Sequence, residues 1–434
     1  MLQRKVIQRL AKWKNQENHH AILLNGARQV GKTTAVKMFA ADNYKHFVEI
    51  NFLKQPAAKA AFDGALDTRS IVLGLSAMGF GPFVEGETLV FFDEIQECPK
   101  ARTAIKFLVE EGRYDYIESG SLLGINYKDI PSYPVGFEDE VMVYPLDFEE
   151  FLWAKGIDSS VIDLLGDCYK EKRPVPEVIH EQIFRCWREY LVVGGMPDVV
   201  QTFVSQDDFG HVVQTQRSIM ATYRADIAKY AGKDKVVVRQ IMDAIPAELG
   251  KQDKRFILAN LEKGASRRKY ENPTQWLVDA GIAYYSFNTK AFELPFEASE
   301  NRSLYKLYLV DTGLMSSMLL RNMQLQVMTG DIGINEGALV ENQIACTLAS
   351  KAIPLHYYDK KSRQELDFVY SDNGKINIIE VKSGKDYHRH VSLDAARESF
   401  GNKIGSSIVF GPCNIEHSDN TTYLPLYMAM FIQQ

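Results

Sequence analysis

The stretch GARQVGKT, residues 26–33, lies between the apolar run AILLN and the helical run KTTAVKMFAA. It fits G-x-x-x-x-G-K-[ST] in the strand-loop-helix setting that such a loop requires. Glycines let backbone N–H groups curl around a phosphate, and the following helix turns its positive end toward the same anion. In that frame Gly26, Ala27, Arg28, Gln29, Val30, Gly31 and Thr34 form the cradle. Lys32 reaches the terminal phosphates and Thr33 offers a hydroxyl to a metal. The expected ligands are ATP and Mg2+.

A phosphate loop needs an acid at the end of a second apolar strand, and TLVFFDE supplies Asp93 and Glu94. The first holds magnesium and the second orients the attacking water. A third strand, YDYIESGS, ends near Ser119 and Ser121, two hydroxyls within reach of a γ-phosphate or of their own turn. Short apolar runs alternate with helical ones throughout residues 21–121, the rhythm of a doubly wound, mainly parallel α/β sheet.

The chain has 434 residues, which predicts two to four domains. Apolar residues at 46% and charged residues at 24% are ordinary globular values. Five scattered cysteines, none in a CxxC, point to free thiols in a reducing compartment. The start, MLQRKVIQRLAKWKNQ, lacks a signal peptide's apolar core, and the apolar stretch at 71–84 is too short for a membrane span. A cytoplasmic protein away from membranes is expected. The net charge of -6 does not advertise nucleic-acid binding, yet leaves room for a local basic surface.

Such a surface is offered by residues 251–270, KQDKRFILANLEKGASRRKY, with seven Lys or Arg against two acids. Around it, three helical runs precede two strand-like runs, IAYYSFN and LYKLYLV, the order of a winged helix-turn-helix. Arg267, Arg268 and Lys269 then precede the third helix, where they would meet DNA phosphates. The other reading is a solvated face or a protein-binding winged helix. The expected domains are a P-loop domain at 1–145, a helical lid at 146–232, a winged helix at 233–320 and a mixed α/β domain at 321–434.

In that last domain QELDFVY and INIIEVKS flank the turn SDNG, and Asn-Gly is a strong hairpin signal. With Asn373-Gly374 as a two-residue loop, Asp367 falls opposite Glu380 and Glu365 opposite Lys382. A longer loop would set the acids diagonally on the same face. Opposed side chains lie about 5 Å apart at Cβ, so two carboxylates there need a proton or a cation between them. Magnesium, between Asp367 and Glu380, is the expected occupant. His388 and His390 in DYHRH are read as surface-loop residues.

Walker-type loop, paired acids and polar sensor strand together resemble the AAA+ ATPases. More narrowly, GARQVGKTT, FFDEIQ, YPLDFEEFL, YLVVGGMPDVV, KLYLVDTGL, EGALVEN, QELDFVY and IIEVKSG resemble a widespread prokaryotic ATPase family ending in a domain of unknown function. That likeness implies an ATPase core, a winged helix and a nuclease-like terminal fold. Glu341 on a helix, then Asp367 and Glu380-x-Lys382 on neighbouring strands, resembles the PD-(D/E)xK restriction-endonuclease core, which implies that Glu341, Asp367 and Glu380 bind metal and Lys382 activates water. Leu366 stands where that pattern has proline. Residues 122–141 hold no arginine, and Phe137 stands where relatives carry a basic residue, so hydrolysis would be slow or use Arg113, Arg185 or Arg188. Two functions follow. One is an ATPase coupled to a DNA-binding winged helix and a nuclease, with Asp367, Glu380 and Lys382 catalytic. The other is a nucleotide-switched DNA- or protein-binding module, as a single chain or an oligomer, whose terminal domain does not cleave.

Overall fold

Apolar runs become central strands where helices cover both faces, and β1 (Ala21–Asn25) and β3 (Thr88–Asp93) are buried at every residue. The computed structural model describes residues 2–17, 19–120, 134–206, 209–262, 267–319, 324–329, 336–360, 364–418 and 421–433. These fall into two units, one holding Gln3–Tyr144 and Asp279–Gly281, the other Met1–Leu2, Pro145–Val278 and Ile282–Gln434.

In the first unit α1 (Lys5–Lys14), β1, α2 (Lys32–Asn43), β2 (His46–Asn51), α3 (Thr68–Ala77), β3, α4 (Pro99–Glu111), β4 (Asp115–Ser119) and β5 (Glu138–Met142) follow in order. All five strands are parallel, arranged β2-β3-β4-β1-β5. Alternate strand residues such as Leu23, Ile50, Val90 and Phe92 join Ile71 and Leu75 of α3 and Ile105 and Leu108 of α4 in one core. Helix α2 packs against β2, β3 and β4. Strand β5, drawn from the charged segment EDEVM, had no apolar signature; an edge strand needs little burial. Ser121 and the stretch 121–133 lie outside the described residues.

The second unit begins with α5 (Phe148–Ala154), started by a capping box in which Asp147 and Glu150 exchange side-chain and backbone bonds. There follow α6 (Ser159–Glu171), α7 (Glu177–Val193), α8 (Pro197–Gln206), α9 (Phe209–Tyr230), α10 (Lys235–Leu249), α11 (Arg267–Asp279), β6 (Ala283–Thr289), β7 (Glu300–Leu309), α12 (Thr312–Leu319), α13 (Gln324–Thr329) and α14 (Glu336–Ser350). The chain ends with β8 (His356–Asp359), β9 (Glu365–Asp372), β10 (Lys375–Val381), α15 (Val391–Phe400), β11 (Ile404–Gly411), β12 (Glu416–Ser418) and β13 (Thr421–Pro425). The break between α7 and α8 is tight: Gly195 N–H donates to Asp311 Oδ2 (2.6 Å), its carbonyl accepts from Leu146 N–H (2.7 Å), and a Cβ on Gly195 would sit 2.0 Å from Leu146 O.

The β9–β10 hairpin follows the sequence reading, while the strands expected of a winged helix pair into a larger sheet. Strand β6 pairs in parallel with β8, so β6 and β7 become one end of an eight-stranded mixed sheet ordered β12-β13-β11-β10-β9-β8-β6-β7. The physical reason is edge satisfaction, since a free hairpin would leave a row of N–H and C=O groups unpaired. The second of the three helices expected there is a short 3-10 turn, Leu258–Asn260. Helical lid, winged helix and terminal domain thus share one unit.

Candidate functional site

Each strand of the first sheet around the loop ends in a polar residue, and in a parallel sheet those ends share one edge where ligands bind. Asn25, Asn51, Asp93 and Ser119 close β1, β2, β3 and β4. Thr33 Oγ1 lies 3.2 and 3.3 Å from the two oxygens of Asp93. Asn51 Nδ2 donates to Asp93 Oδ2 at 2.7 Å, and the Ser119 hydroxyl hydrogen-bonds Asp93 Oδ1. These are hard oxygen donors of the kind Mg2+ prefers, and Thr33 with Asp93 would hold it.

The loop itself is held from below. Gly26 has φ of 151°, and a Cβ there would lie 2.2 Å from Val143 O, so no other residue fits. Buried Arg4 donates to Val30 O (2.9 Å) and Tyr144 O (2.7 Å), tying the loop to the chain after β5. Lys32 Nζ donates to Gly26 O (2.8 Å) and Ala27 O (2.9 Å). Burial lowers its pKa to about 8 against the pull of Glu94 and Asp93, so a phosphate arriving there meets a poorly hydrated cation. Thr34 is exposed on the first turn of α2. Glu94 has a left-handed backbone, φ 56°, which costs about 1–3 kcal/mol, and its carboxylate accepts from Gln96 Nε2. Asn51, Gln96 and Arg4 were missed from sequence; the polar end of FVEIN was the available signal for Asn51.

Of the arginines considered for hydrolysis, Arg113 is paired on the surface with Glu85 and Glu111, both at 3.2 Å. Arg185 and Arg188 belong to the second unit.

The second unit brings the expected carboxylates together. Strands β9 and β10 pair with Lys375 opposite Asp372 through to Ile379 opposite Phe368, the register expected of a two-residue turn. Asn373 and Gly374 have φ of 48° and 73°, as that turn demands. Asp367 Oδ2 accepts the N–H of Val381 at 2.9 Å, and Lys382 Nζ donates to Glu380 Oε2 at 3.2 Å. Glu341, on α14, is fully buried beside them.

What the sequence reading lacked is the cations already present. Lys306 of β7, 0% exposed, places Nζ 3.0 Å from Glu341 Oε1, 2.8 Å from Glu365 Oε1 and 4.0 Å from Asp367 Oδ1. Lys254 pairs with Glu341 Oε2, and the Tyr308 hydroxyl donates to Glu341 Oε1 at 2.6 Å. Burial pushes Glu341 up, but Lys254 and Lys306 outweigh it and hold it at about 2. Burial, then Asp367, push Glu380 up to about 8 despite Lys382. Where magnesium was expected at Glu341, Asp367 and Glu380, the structure sets ammonium groups beside the carboxylates, although burial still raises Asp367 and Glu380. Among the described residues no group of three or more His, Cys, Asp or Glu is arranged to hold a metal ion. The residues do not fit the metal. The signal was a lone lysine in the apolar run LYKLYLV, which a buried strand tolerates only with an acid partner.

The basic stretch is largely spent internally. Lys251 pairs with Glu248, Lys254 with Glu341, Arg255 with Asp253 and Asp359, and Lys269 with Glu262. Arg268 is exposed at the start of α11; Lys263 and the side chain of Arg267 lie outside the described residues. His388 is exposed as expected, but His390 is buried, bonded to Asp394 (3.0 Å) and to the Tyr423 hydroxyl (2.8 Å). No helix among the described residues is long and apolar enough to cross a membrane.

A phosphate loop at the end of a parallel strand, with a threonine and an acid converging beside it, defines a P-loop ATPase. Residues 18–152 match the family described as AAA domain, and the chain is an ATPase with an AAA domain at its N-terminal side. Residues 185–325 match a domain of unknown function (DUF8612) and residues 336–428 another (DUF4143). No curated protein matches the chain. Similar solved structures include the Walker-type ATPase PABY2304 of Pyrococcus abyssi, at 15% identity over 73% of this chain and 96% of that one, TM-score 0.44. The Aeropyrum pernix ORC1 protein in complex with DNA is 11% identical over 75% and 94%, TM-score 0.29. The Thermotoga maritima RuvB Holliday junction branch migration motor is 13% identical over 68% and 91%, TM-score 0.30. At these values the likeness adds nothing to the family match.

Proposed function

We propose that the chain is a nucleotide-switched binding module: it binds Mg-ATP in the first unit, hydrolyses it slowly, and uses the two nucleotide states to control what the second unit holds. The observation that carries this reading is the convergence of Thr33 Oγ1 on Asp93, 3.2 Å away, at the edge where Lys32 caps the loop. Lys32 would trade its bonds to Gly26 O and Ala27 O for phosphate oxygens. Magnesium, held by Thr33 and Asp93, would neutralise phosphate charge. Glu94, released from Gln96, would orient the water. A slow rate fits an active site to which Arg113, committed to Glu85 and Glu111, offers no free guanidinium.

DNA is the ligand we assign to the second unit, on the observation that Arg268 and Lys269 are exposed where α11 begins. Such contacts are to phosphates and are salt-sensitive. The test is ATP binding by calorimetry and DNA binding by fluorescence anisotropy, with ATP, ADP and neither. Lys32→Ala should abolish ATP binding, and DNA affinity should differ between nucleotide states and drop in Arg268→Ala. Unchanged ATP affinity sinks the nucleotide reading; equal DNA affinity in all three states sinks the switch.

A further inference from the structure

We propose that the nuclease-like carboxylate cluster of the second unit excludes divalent metal, because the ammonium groups of Lys306 and Lys254 occupy the cation positions around Glu341 and Asp367. The cluster is an internal ion-pair lock in place of a cleavage site.

Both oxygens of Glu341 are engaged, Oε1 by Lys306 and Tyr308 and Oε2 by Lys254. Asp367 gives Oδ2 to the Val381 N–H and turns Oδ1 toward Lys306. Glu365 is paired with Lys306 and Glu380 with Lys382. Magnesium demands six oxygens at about 2.1 Å, so it could enter only by displacing these cations. Lys306 has nowhere to go: its side chain is 0% exposed, and moving it strands a buried charge. One buried oxygen in the cluster, Glu380 Oε1, has no hydrogen-bond partner, and a single carboxylate oxygen is no ligand set.

The source of the lysines matters as much as their position. Lys254 precedes α11 and Lys306 lies on β7, both outside the hairpin and helix that resemble the nuclease core. Strand β7 carries Lys306 and Tyr308 on one face, two residues apart, and both reach Glu341. The pairing joins the 251–262 segment, β7, α14 and β9 through one buried carboxylate cluster.

The test uses Mn2+ as the probe, titrated into the full chain without nucleotide and counted by electron paramagnetic resonance. Wild type and Asp367→Asn should bind the same number of ions, and Lys306→Met should gain one that Asp367→Asn removes. Glu380→Gln replaces Asp367→Asn should the latter not fold, and the wild-type comparison decides alone should Lys306→Met not fold. The proposal is overturned if wild type holds an Mn2+ that either carboxylate variant loses, or if folded Lys306→Met gains none. A Mn2+-dependent DNA nicking activity abolished by Asp367→Asn would overturn it as well.

Discussion

Lys306 Nζ lies 3.0 Å from Glu341 Oε1, and neither side chain is exposed to water. Breaking such a buried pair leaves one charge uncompensated, at a cost of about 3–5 kcal/mol. Lys306→Ala should therefore lower the urea midpoint far more than Lys382→Ala. The latter removes a lysine that is 30% exposed from a carboxylate already pushed up to about 8, which can take a proton instead, so it should cost less. Equal effects would mean that Lys306 is not anchored as described.

On the proposed reading Glu94 orients water and does not hold nucleotide. Glu94→Gln should keep ATP affinity while lowering kcat by about 10²–10⁴-fold, the usual range for a lost general base. A steady-state ATPase assay paired with nucleotide-binding calorimetry separates the two effects. Loss of binding with kcat intact would reassign the residue.

Asn51 touches Asp93, and outer partners of a metal ligand are worth about 10–100-fold in metal affinity. Asn51→Ala should raise the Mg2+ concentration needed for half-maximal ATPase activity by that factor, with little change in the rate at saturating Mg2+. Rate against Mg2+ concentration is the measurement. An unmoved midpoint would make the contact structural only.

Glu118 of β4 is buried beside Glu138, and burial first, then Glu138, raise its pKa well above the ordinary value. For a raised acid, stability is full below the unfolded pKa and is lost as pH climbs from there toward the folded pKa. Glu118→Gln removes that loss. Its stability should match wild type near pH 4.5 and exceed it increasingly above, by up to about 1.4 kcal/mol per pH unit. Urea unfolding from pH 5 to 9 checks this, and parallel curves would refute it.

Gly195 has no room for a side chain, since its Cβ would meet Leu146 O at 2.0 Å and Leu146 N at 2.8 Å. Gly195→Ala should cost about 3 kcal/mol, the upper end for an overpacked core. Gly232→Ala, with nothing within 4 Å, should cost less, mainly from its φ of 54°. Thermal unfolding of the two variants tests the difference.

Readable from the chain alone were the phosphate loop, the acid closing β3, the Asn373-Gly374 turn and the β9–β10 register. Each rests on a local rule: a glycine spacing, an apolar run ending in acid, a positive-φ dipeptide, a period of two. The helical character of the stretch after Pro145 was legible from its apolar spacing, whereas the capping box of Asp147 and Glu150 and the separate helices α6 and α8 emerged only in the structure.

Tertiary structure decided the meaning of the carboxylate cluster. Lys254 and Glu341 are 87 residues apart, and no periodicity relates them. Only when β6 pairs with β8 does β7 take its place in the sheet and carry Lys306 to Glu341. The same long-range pairing merged the expected winged helix into one sheet and drew Lys254 and Arg255 out of the expected basic surface. A carboxylate's preference for a cation is legible in sequence, but which cation reaches it depends on strand order, and strand order is set by which edges find partners.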